Sequence, residues 1–374
     1  MRGVCAVICE FDPLHPGHKK VIDHAKSSSD VLIAVLGGSF TQRSIPSLFD
    51  KYTRARAALR CGFDLVIELP FPWSCSGVEY YAFGGVSTAL ALGANSICFG
   101  SELGDINELI KAAEYSTSPE FVKTAGNVSS DLKIGAAVAF DSAFRQGGFQ
   151  LGKNDKLAVE YIKAVLRSGR NDVSFSTVRR DESITCASKI RELIAESGLK
   201  EAKALIVPEA YEVFLSGSAV VSSGDKLELF EFMYFRFFED EDFDRIFEAS
   251  GGVGNRLRKA AVMSREHSDF FSLASTKKYT DSRLRRAALC SILGVTKNDL
   301  AAPPSFTHLL AANDTGRDYL SELNDAEIRV ITKPSDVPES RQIALERKAD
   351  ELYSLCSDPP AAKGRFVKST PYME

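Results

Sequence analysis

Short apolar runs rich in β-branched residues recur along the first half of the chain, at 4–9 (VCAVIC), 31–36 (VLIAVL), 65–69 (LVIEL) and 96–99 (SICF). They do not alternate with polar positions, so they predict strands covered on both faces, as in a parallel sheet. Helical spacing fills the intervals at 17–27, 51–61 and 79–92, and a helix at 155–167 leads to a further strand at 173–178. Strand and helix alternating at this interval predict a doubly wound α/β sheet. Ligands of such sheets bind at the carboxyl ends of the strands.

From about residue 196 the pattern changes. Segments 226–249, 254–263, 281–293 and 339–355 have helical spacing and heavy charge, and one short β-like run (328–332, IRVIT) interrupts them. The fold class expected is α/β: a doubly wound, parallel-sheet, Rossmann-like domain over residues 1–195, followed by a mainly helical C-terminal domain over 196–374. A length of 374 residues suits two domains.

Composition narrows the class. Apolar residues make up 44% and charged residues 26%, the balance of a soluble globular protein. No apolar run approaches the ~20 residues of a membrane span, and the opening MRGVCAVICEFDP ends in acids, so it predicts a strand rather than a signal peptide. Eight scattered cysteines without a CxxC pair suit buried reduced thiols in a cytoplasmic protein. The net charge of −4 argues against a general nucleic-acid coat and leaves room for a local basic face.

The candidate chemistry begins where the first strand ends, in Glu10-Phe11-Asp12-Pro13-Leu14-His15-Pro16-Gly17-His18. The prolines stiffen a turn, Gly17 admits close backbone approach, and His18 falls in the first turn of a helix. Free N–H groups and the helix dipole attract phosphate there. Two imidazoles at this place can both donate to oxygens whose charge grows as an α-phosphate is attacked. Two of only five histidines flank one glycine at the place where α/β folds bind ligands, so His15 and His18 are the expected catalytic pair.

This stretch resembles the HxGH signature of the nucleotidyltransferase superfamily. Ala187-Ser188-Lys189-Ile190-Arg191 resembles its second motif, in which a hydroxyl and an arginine hold the β- and γ-phosphates at a helix start. Other segments are similar to the bacterial tRNA(Met) cytidine acetate ligases: Gly38-Ser39-Phe40-Thr41-Gln42-Arg43, Lys51 and Arg54, Gly62 to Pro70, Cys98-Phe99-Gly100-Ser101-Glu102, Asn154, Gly254-Asn255-Arg256-Leu257, Tyr279 to Arg286, Leu293-Gly294-Val295 and Ile331-Thr332-Lys333-Pro334. The resemblance runs along nearly the whole chain, and its specificity lies in the order of the segments. The chain departs from the family pattern at Asp12, usually Asn, and at Lys153 and Ala158, usually Pro and Gly. A Gly-Tyr-His-Asp-like stretch is replaced by Asp181-Glu182-Ser183-Ile184.

The resemblance implies an ATP-dependent ligase. Acetate becomes acetyl-adenylate, and its acetyl group passes to the N4 amine of the wobble cytidine of elongator tRNA(Met), giving N4-acetylcytidine. It implies ATP contacts from Val7, Ile8, Cys9, Glu10, Phe11, Asp12, Pro13, Leu14, His15, Pro16, Gly17, His18, Lys19 and Lys20, from Gly100 and Asn154, from Arg180 or its neighbour Arg179, and from Ser188 and Arg191, with Mg²⁺ accompanying the nucleotide.

The segment 255–286 holds nine Lys/Arg against three acids. Arg256, Arg258, Lys259, Lys277, Lys278, Arg283, Arg285 and Arg286 are therefore the expected RNA-binding residues, with Tyr279 among them able to stack on a base. Partners expected are tRNA and acetate, with no membrane and no DNA. Two other functions share part of this pattern: a small-metabolite adenylyl- or cytidylyltransferase, and a non-catalytic RNA- or nucleotide-binding protein.

Overall fold

The computed structural model describes residues 2–132, 136–216, 221–222, 224–238, 242–276, 278–323 and 326–374. The first half runs β1 (Val4–Cys9), α1 (Pro16–Ser27), β2 (Val31–Gly37), α2 (Lys51–Arg60), β3 (Leu65–Leu69), α3 (Val78–Ala91), β4 (Ser96–Ser101), α4 (Ile106–Ser116), α5 (Pro119–Leu132), α6 (Ala136–Gln146), α7 (Lys153–Ser168), β5 (Ser174–Arg179) and α8 (Ala187–Ser197). The second half runs α9 (Pro208–Leu215), β6 (Val221–Ser222), α10 (Gly224–Phe237), α11 (Val253–Met263), α12 (Phe270–Ala274), α13 (Asp281–Leu293), β7 (Phe306–Ala312), α14 (Asp314–Glu322), β8 (Arg329–Ile331), α15 (Arg341–Cys356), β9 (Ser357–Asp358) and β10 (Tyr372–Met373).

Five parallel strands lie in the order β3-β2-β1-β4-β5. The direction of winding reverses at β1, which opens a crevice at the carboxyl ends of β1 and β4. The fold is thus the mixed α/β, mainly parallel arrangement that the apolar runs predict. Every position of β1, β2 and β3 is buried, while β5 is half-exposed at the edge. Along β1, Val4, Ala6 and Ile8 join one core layer, and Cys5, Val7 and Cys9 join the layer beneath α1, α2, α8 and α9. All eight cysteines are free thiols, seven of them buried. Among the described residues no helix is long and apolar enough to cross a membrane.

The structure adds elements that the pattern did not mark. β7 is buried at every position and lies antiparallel against β3, with β8 and β10 parallel to it. Its sequence, FTHLLAA, is a short non-alternating run, which periodicity alone cannot separate from a buried piece of helix. Strands from both halves of the chain therefore build one sheet. Helices α4, α5 and α6 fill the stretch after β4, and the expected helix at 226–249 ends at Phe237. Residues 239–241 of that expected helix lie outside the described residues.

Buried ions join α15 to the sheet. Lys51 Nζ lies 2.9 Å from Glu68 Oε1 and 3.0 Å from Asp350 Oδ2, and Asp350 Oδ1 accepts from Ser39 Oγ at 2.6 Å. One turn earlier on α15, Glu346 contacts His308 Nε2 of β7 at 2.9 Å and accepts from Gln342 Nε2 at 2.8 Å.

Candidate active site

The turn after β1 places the two histidines. Phe11 has a φ of 49°, a left-handed conformation that costs a non-glycine residue on the order of 1 kcal/mol. Its buried ring offsets that cost against Phe63, with centroids 5.6 Å apart, and against the inclined His18 ring at 5.2 Å. His15 is the N-cap of α1, and its Nδ1 accepts the Gly17 N–H at 3.1 Å. His18 Nδ1 accepts the His15 N–H at 3.4 Å, and the rings stack with centroids 3.8 Å apart.

Both Nδ1 atoms are acceptors, so each neutral ring carries its proton on Nε2. Burial, and then the charge of Arg180, lower the His15 pKa to about 4. Burial, the neighbouring His15 and Arg180 hold His18 well below its ordinary value. The pair is therefore neutral at pH 7. It offers two Nε2–H donors at the N-terminus of α1, where the helix dipole also favours an anion.

Gly17 is part of this geometry, because a Cβ there would lie 2.9 Å from His15 Cε1 and 3.1 Å from its Nδ1. Gly17→Ala must push the His15 ring off its cap. Displacing a catalytic group by ~1 Å costs rates up to roughly a hundredfold, and a loss of that size is expected in kcat, with no more than about 1 kcal/mol of stability lost with the cap by urea denaturation.

Arg54 holds the strand ends in register. It is buried on α2 and donates to the carbonyls of Phe49 (2.9 Å), Glu10 (2.7 Å) and Gly37 (3.0 Å), to the Gly38 carbonyl, and to Ser47 Oγ (3.1 Å). The end of β1 and the end of β2 thus share one guanidinium. Asp12 is buried, and its Oδ1 accepts the Leu48 N–H at 2.7 Å. Burial raises its pKa against the pull of Arg191 and Arg54.

Arg191 brings in the second motif. Its Nη1 donates to the Asp12 carbonyl at 2.6 Å and lies 3.6 Å from Asp12 Oδ2, which fixes the start of α8 against the β1 turn. Ser188 is in the first turn of α8, with Oγ 3.1 Å from Cys186 Sγ, and that hydrogen bond lowers the Cys186 pKa. On the other side, the Arg180 N–H donates to the Ser101 carbonyl at 2.8 Å. Its guanidinium lies 3.7 Å from Glu102. Glu102 in turn accepts from the Asn154 N–H (3.0 Å), Asn154 Nδ2 (3.1 Å) and the Asp155 N–H (3.0 Å). A cleft of about 500 Å³ is lined by Glu102, Arg179, Arg180 and Glu182. Arg180 is the arginine whose charge reaches both histidines.

The crevice thus gathers His15, Gly17, His18, Arg180, Asn154, Ser188 and Arg191, with Gly100 on β4 paired to Val178. Val7, Ile8, Cys9, Phe11, Pro13 and Leu14 are buried, and the Pro16 ring is exposed. Lys19 pairs with Asp23, and Lys20 with Asp181 at 2.7 Å, both on exposed surface. Glu102 escaped sequence reasoning as a link between Asn154 and Arg180. Its signals were its place directly after a strand and within the family-like segment Cys98 to Glu102.

Much of the basic cluster makes contacts within the helical layer. Arg256 donates to the carbonyls of Leu273 and Ala274, and Arg258 to Asn255 Oδ1. Glu248 contacts both Arg283 (3.4 Å) and Arg286 (2.9 Å), and Arg285 contacts Asp281 (3.0 Å) and Glu228 (3.5 Å). Lys259 and Lys278 are exposed, the latter over the Tyr279 ring. Lys277 lies outside the described residues.

This fold and crevice are those of a nucleotidyltransferase, and the model of the HIGH Nucleotidyl Transferase family matches residues 2–366. The tRNA(Met) cytidine acetate ligase of Limosilactobacillus reuteri is 31% identical, covering 95% of this chain and 96% of its own. That of Anoxybacillus flavithermus is 29% identical, covering 96% of both. The crystal structure of Thermotoga maritima TmcAL bound with alpha-thio ATP superposes with a TM-score of 0.89 at 27% identity, covering 99% of each chain. The chain is an enzyme that belongs to the tRNA(Met) cytidine acetate ligase family.

Proposed function

We propose that the enzyme joins acetate to ATP as acetyl-adenylate, releasing pyrophosphate, and transfers the acetyl group to N4 of the wobble cytidine of elongator tRNA(Met). The observation that carries this reading is the stacked, neutral His15–His18 pair at the N-terminus of α1, with the start of α8 fastened across the same turn by Arg191. The alpha-thio ATP bound by the Thermotoga maritima relative supports the choice of nucleotide.

In this reading the two Nε2–H groups donate to the α-phosphate oxygens as acetate attacks, where charge accumulates. Ser188, Arg191 and Arg180 hold the β- and γ-phosphates. Gly100 and Asn154 line the nucleoside side, and the backbone of residues 7–20 approaches the nucleotide. Among the described residues no group of three His, Cys, Asp or Glu could hold a metal ion. Mg²⁺ would accompany the triphosphate, whose charge it neutralises. Residues 1–195 would form the ATP-binding catalytic domain and 196–374 contribute to tRNA binding, with Lys259 and Lys278 the exposed cations of that surface. The reaction takes place in the cytoplasm, where its tRNA substrate is.

The test is incubation with ATP, Mg²⁺, labelled acetate and total tRNA, followed by digestion to nucleosides. Label in N4-acetylcytidine that the His18→Ala protein does not form supports the reading. Acetate-dependent AMP without RNA label removes the acceptor. If neither forms, a metabolite transferase, read out as pyrophosphate release with phosphorylated precursors, becomes the better account.

A further inference from the structure

The acceptor amine must lose a proton when it attacks the acetyl group, and neither histidine is placed to take it as the rings stand. Each Nδ1 already accepts a backbone N–H and each Nε2 already carries a proton. The carboxylates at this end of β1 are Glu10, the residue directly after the strand, and Asp12, whose Oδ2 also lacks a hydrogen-bond partner. Glu10 is partly exposed, whereas Asp12 is buried and faces Arg191.

Resting on the ligase reading, we infer that Glu10 is the general base of acetyl transfer and that Gln42 beside it helps to read the cytosine. Glu10 Oε1 accepts the Gln42 backbone N–H at 2.5 Å, which fixes the carboxylate, and Oε2 has no partner among the described residues. Gln42 Nε2 is a buried donor that also lacks a partner. A free carboxylate acceptor next to a free amide donor complements the Watson–Crick edge of cytosine, where N4 donates and N3 and O2 accept.

The surroundings hold this pair in place. Arg54 ties the Glu10 carbonyl to the end of β2, and Ser44 Oγ donates to the Cys75 carbonyl at 3.1 Å, which pins the loop that carries Gln42. The charged and titratable groups facing Glu10 are Asp12, Arg191 and Arg54, with Cys9, Cys75, Tyr81 and Tyr161 around it. Burial and the Asp12 charge raise the Glu10 pKa, against the Gln42 N–H and the two arginines. A carboxylate so raised is a stronger base than an exposed one.

The step balances. The N4 lone pair forms the N–C bond to the acetyl carbon, the C–O bond to the phosphoryl oxygen breaks, and AMP leaves with that electron pair. The N4 proton passes to Glu10 Oε2 and from there to solvent. Adenylation needs no such proton transfer, because acetate attacks as the anion. The two half-reactions therefore separate the role of Glu10 from the reading on which it rests.

Glu10→Gln keeps an oxygen to accept the Gln42 N–H and removes the base. Removing a general base costs about 10²- to 10⁴-fold. Single-turnover transfer from preformed acetyl-adenylate to tRNA is expected to fall ~100-fold further than acetate-dependent ATP–pyrophosphate exchange does. Equal losses in both, or undiminished transfer, would overturn the assignment. Native protein gives a second measurement that does not depend on how the variant folds. Its transfer rate is expected to drop with falling pH through a pKa above the ordinary glutamate range, in a limb that exchange lacks. The same limb in both half-reactions, or in neither, also overturns it. Absence of acetate-dependent exchange in the native protein would instead refute the ligase reading itself.

Discussion

His18→Ala is expected to lower the rate of acetate-dependent adenylation by roughly two to three decades while ATP affinity changes much less, the cost of removing an oxyanion-type donor. The His18 ring is held by three independent contacts: the His15 N–H on Nδ1, the stacked His15 ring, and the steeply inclined Phe11 ring. It therefore meets the developing charge without reorganising. His15→Ala removes both the second donor and the cap of α1, so it is expected to cost a similar factor together with about 1 kcal/mol of stability from the lost cap. Both effects separate in a plot of kcat and KM against a urea titration. Equal losses in ATP binding and in rate would contradict the donor role. The charge state gives a further check. Because the His15 pKa is lowered to about 4 and His18 lies well below its ordinary range, both stay neutral as the pH falls through 6.5. Adenylation is then expected to show no acid limb there, whereas a requirement for imidazolium would produce an alkaline loss above it.

Much of this site was legible in the chain because its parts are local. Strand, proline turn, glycine and helix follow one another within residues 4–27, so HxGH could be placed at a helix N-terminus from pattern alone. Ser188 and Arg191 were legible for the same reason, as one turn of helix. What could not be read is long-range. The contact of Arg191 with the Asp12 carbonyl joins residues far apart in the chain, and no periodicity encodes it. Glu102 looks like a surface acid after a strand until the start of α7 folds onto it. The basic cluster shows the reverse limit. Its excess charge is visible in sequence, but Glu248, which contacts Arg283 and Arg286, lies outside the segment that was counted. β7 escaped because a fully buried strand has no alternation to betray it, and its partner β3 lies far upstream.

The buried ions that bind α15 to the sheet lead to the largest stability effect expected. Lys51→Met leaves Glu68 and Asp350 facing each other without their cation, and removing one partner from a buried pair costs about 3–5 kcal/mol. Glu68 Oε2 already lacks a hydrogen-bond partner, so no donor stands ready to compensate. The loss should appear as a lower urea midpoint. It should shrink when Glu68→Gln and Asp350→Asn are added, because a neutral set no longer strands like charges. A Lys51→Met protein as stable as the native one would mean that the carboxylates simply take up protons at little cost. The consequence reaches the active site by a short route. Lys51 opens α2, and Arg54, one turn further on, holds the carbonyls of Glu10, Gly37 and Gly38. A loosened start of α2 therefore loosens the strand ends that carry Glu10 and the histidine turn. The triple variant is expected to regain stability and adenylation together, since both depend on the same seating of α2 against β3 and α15.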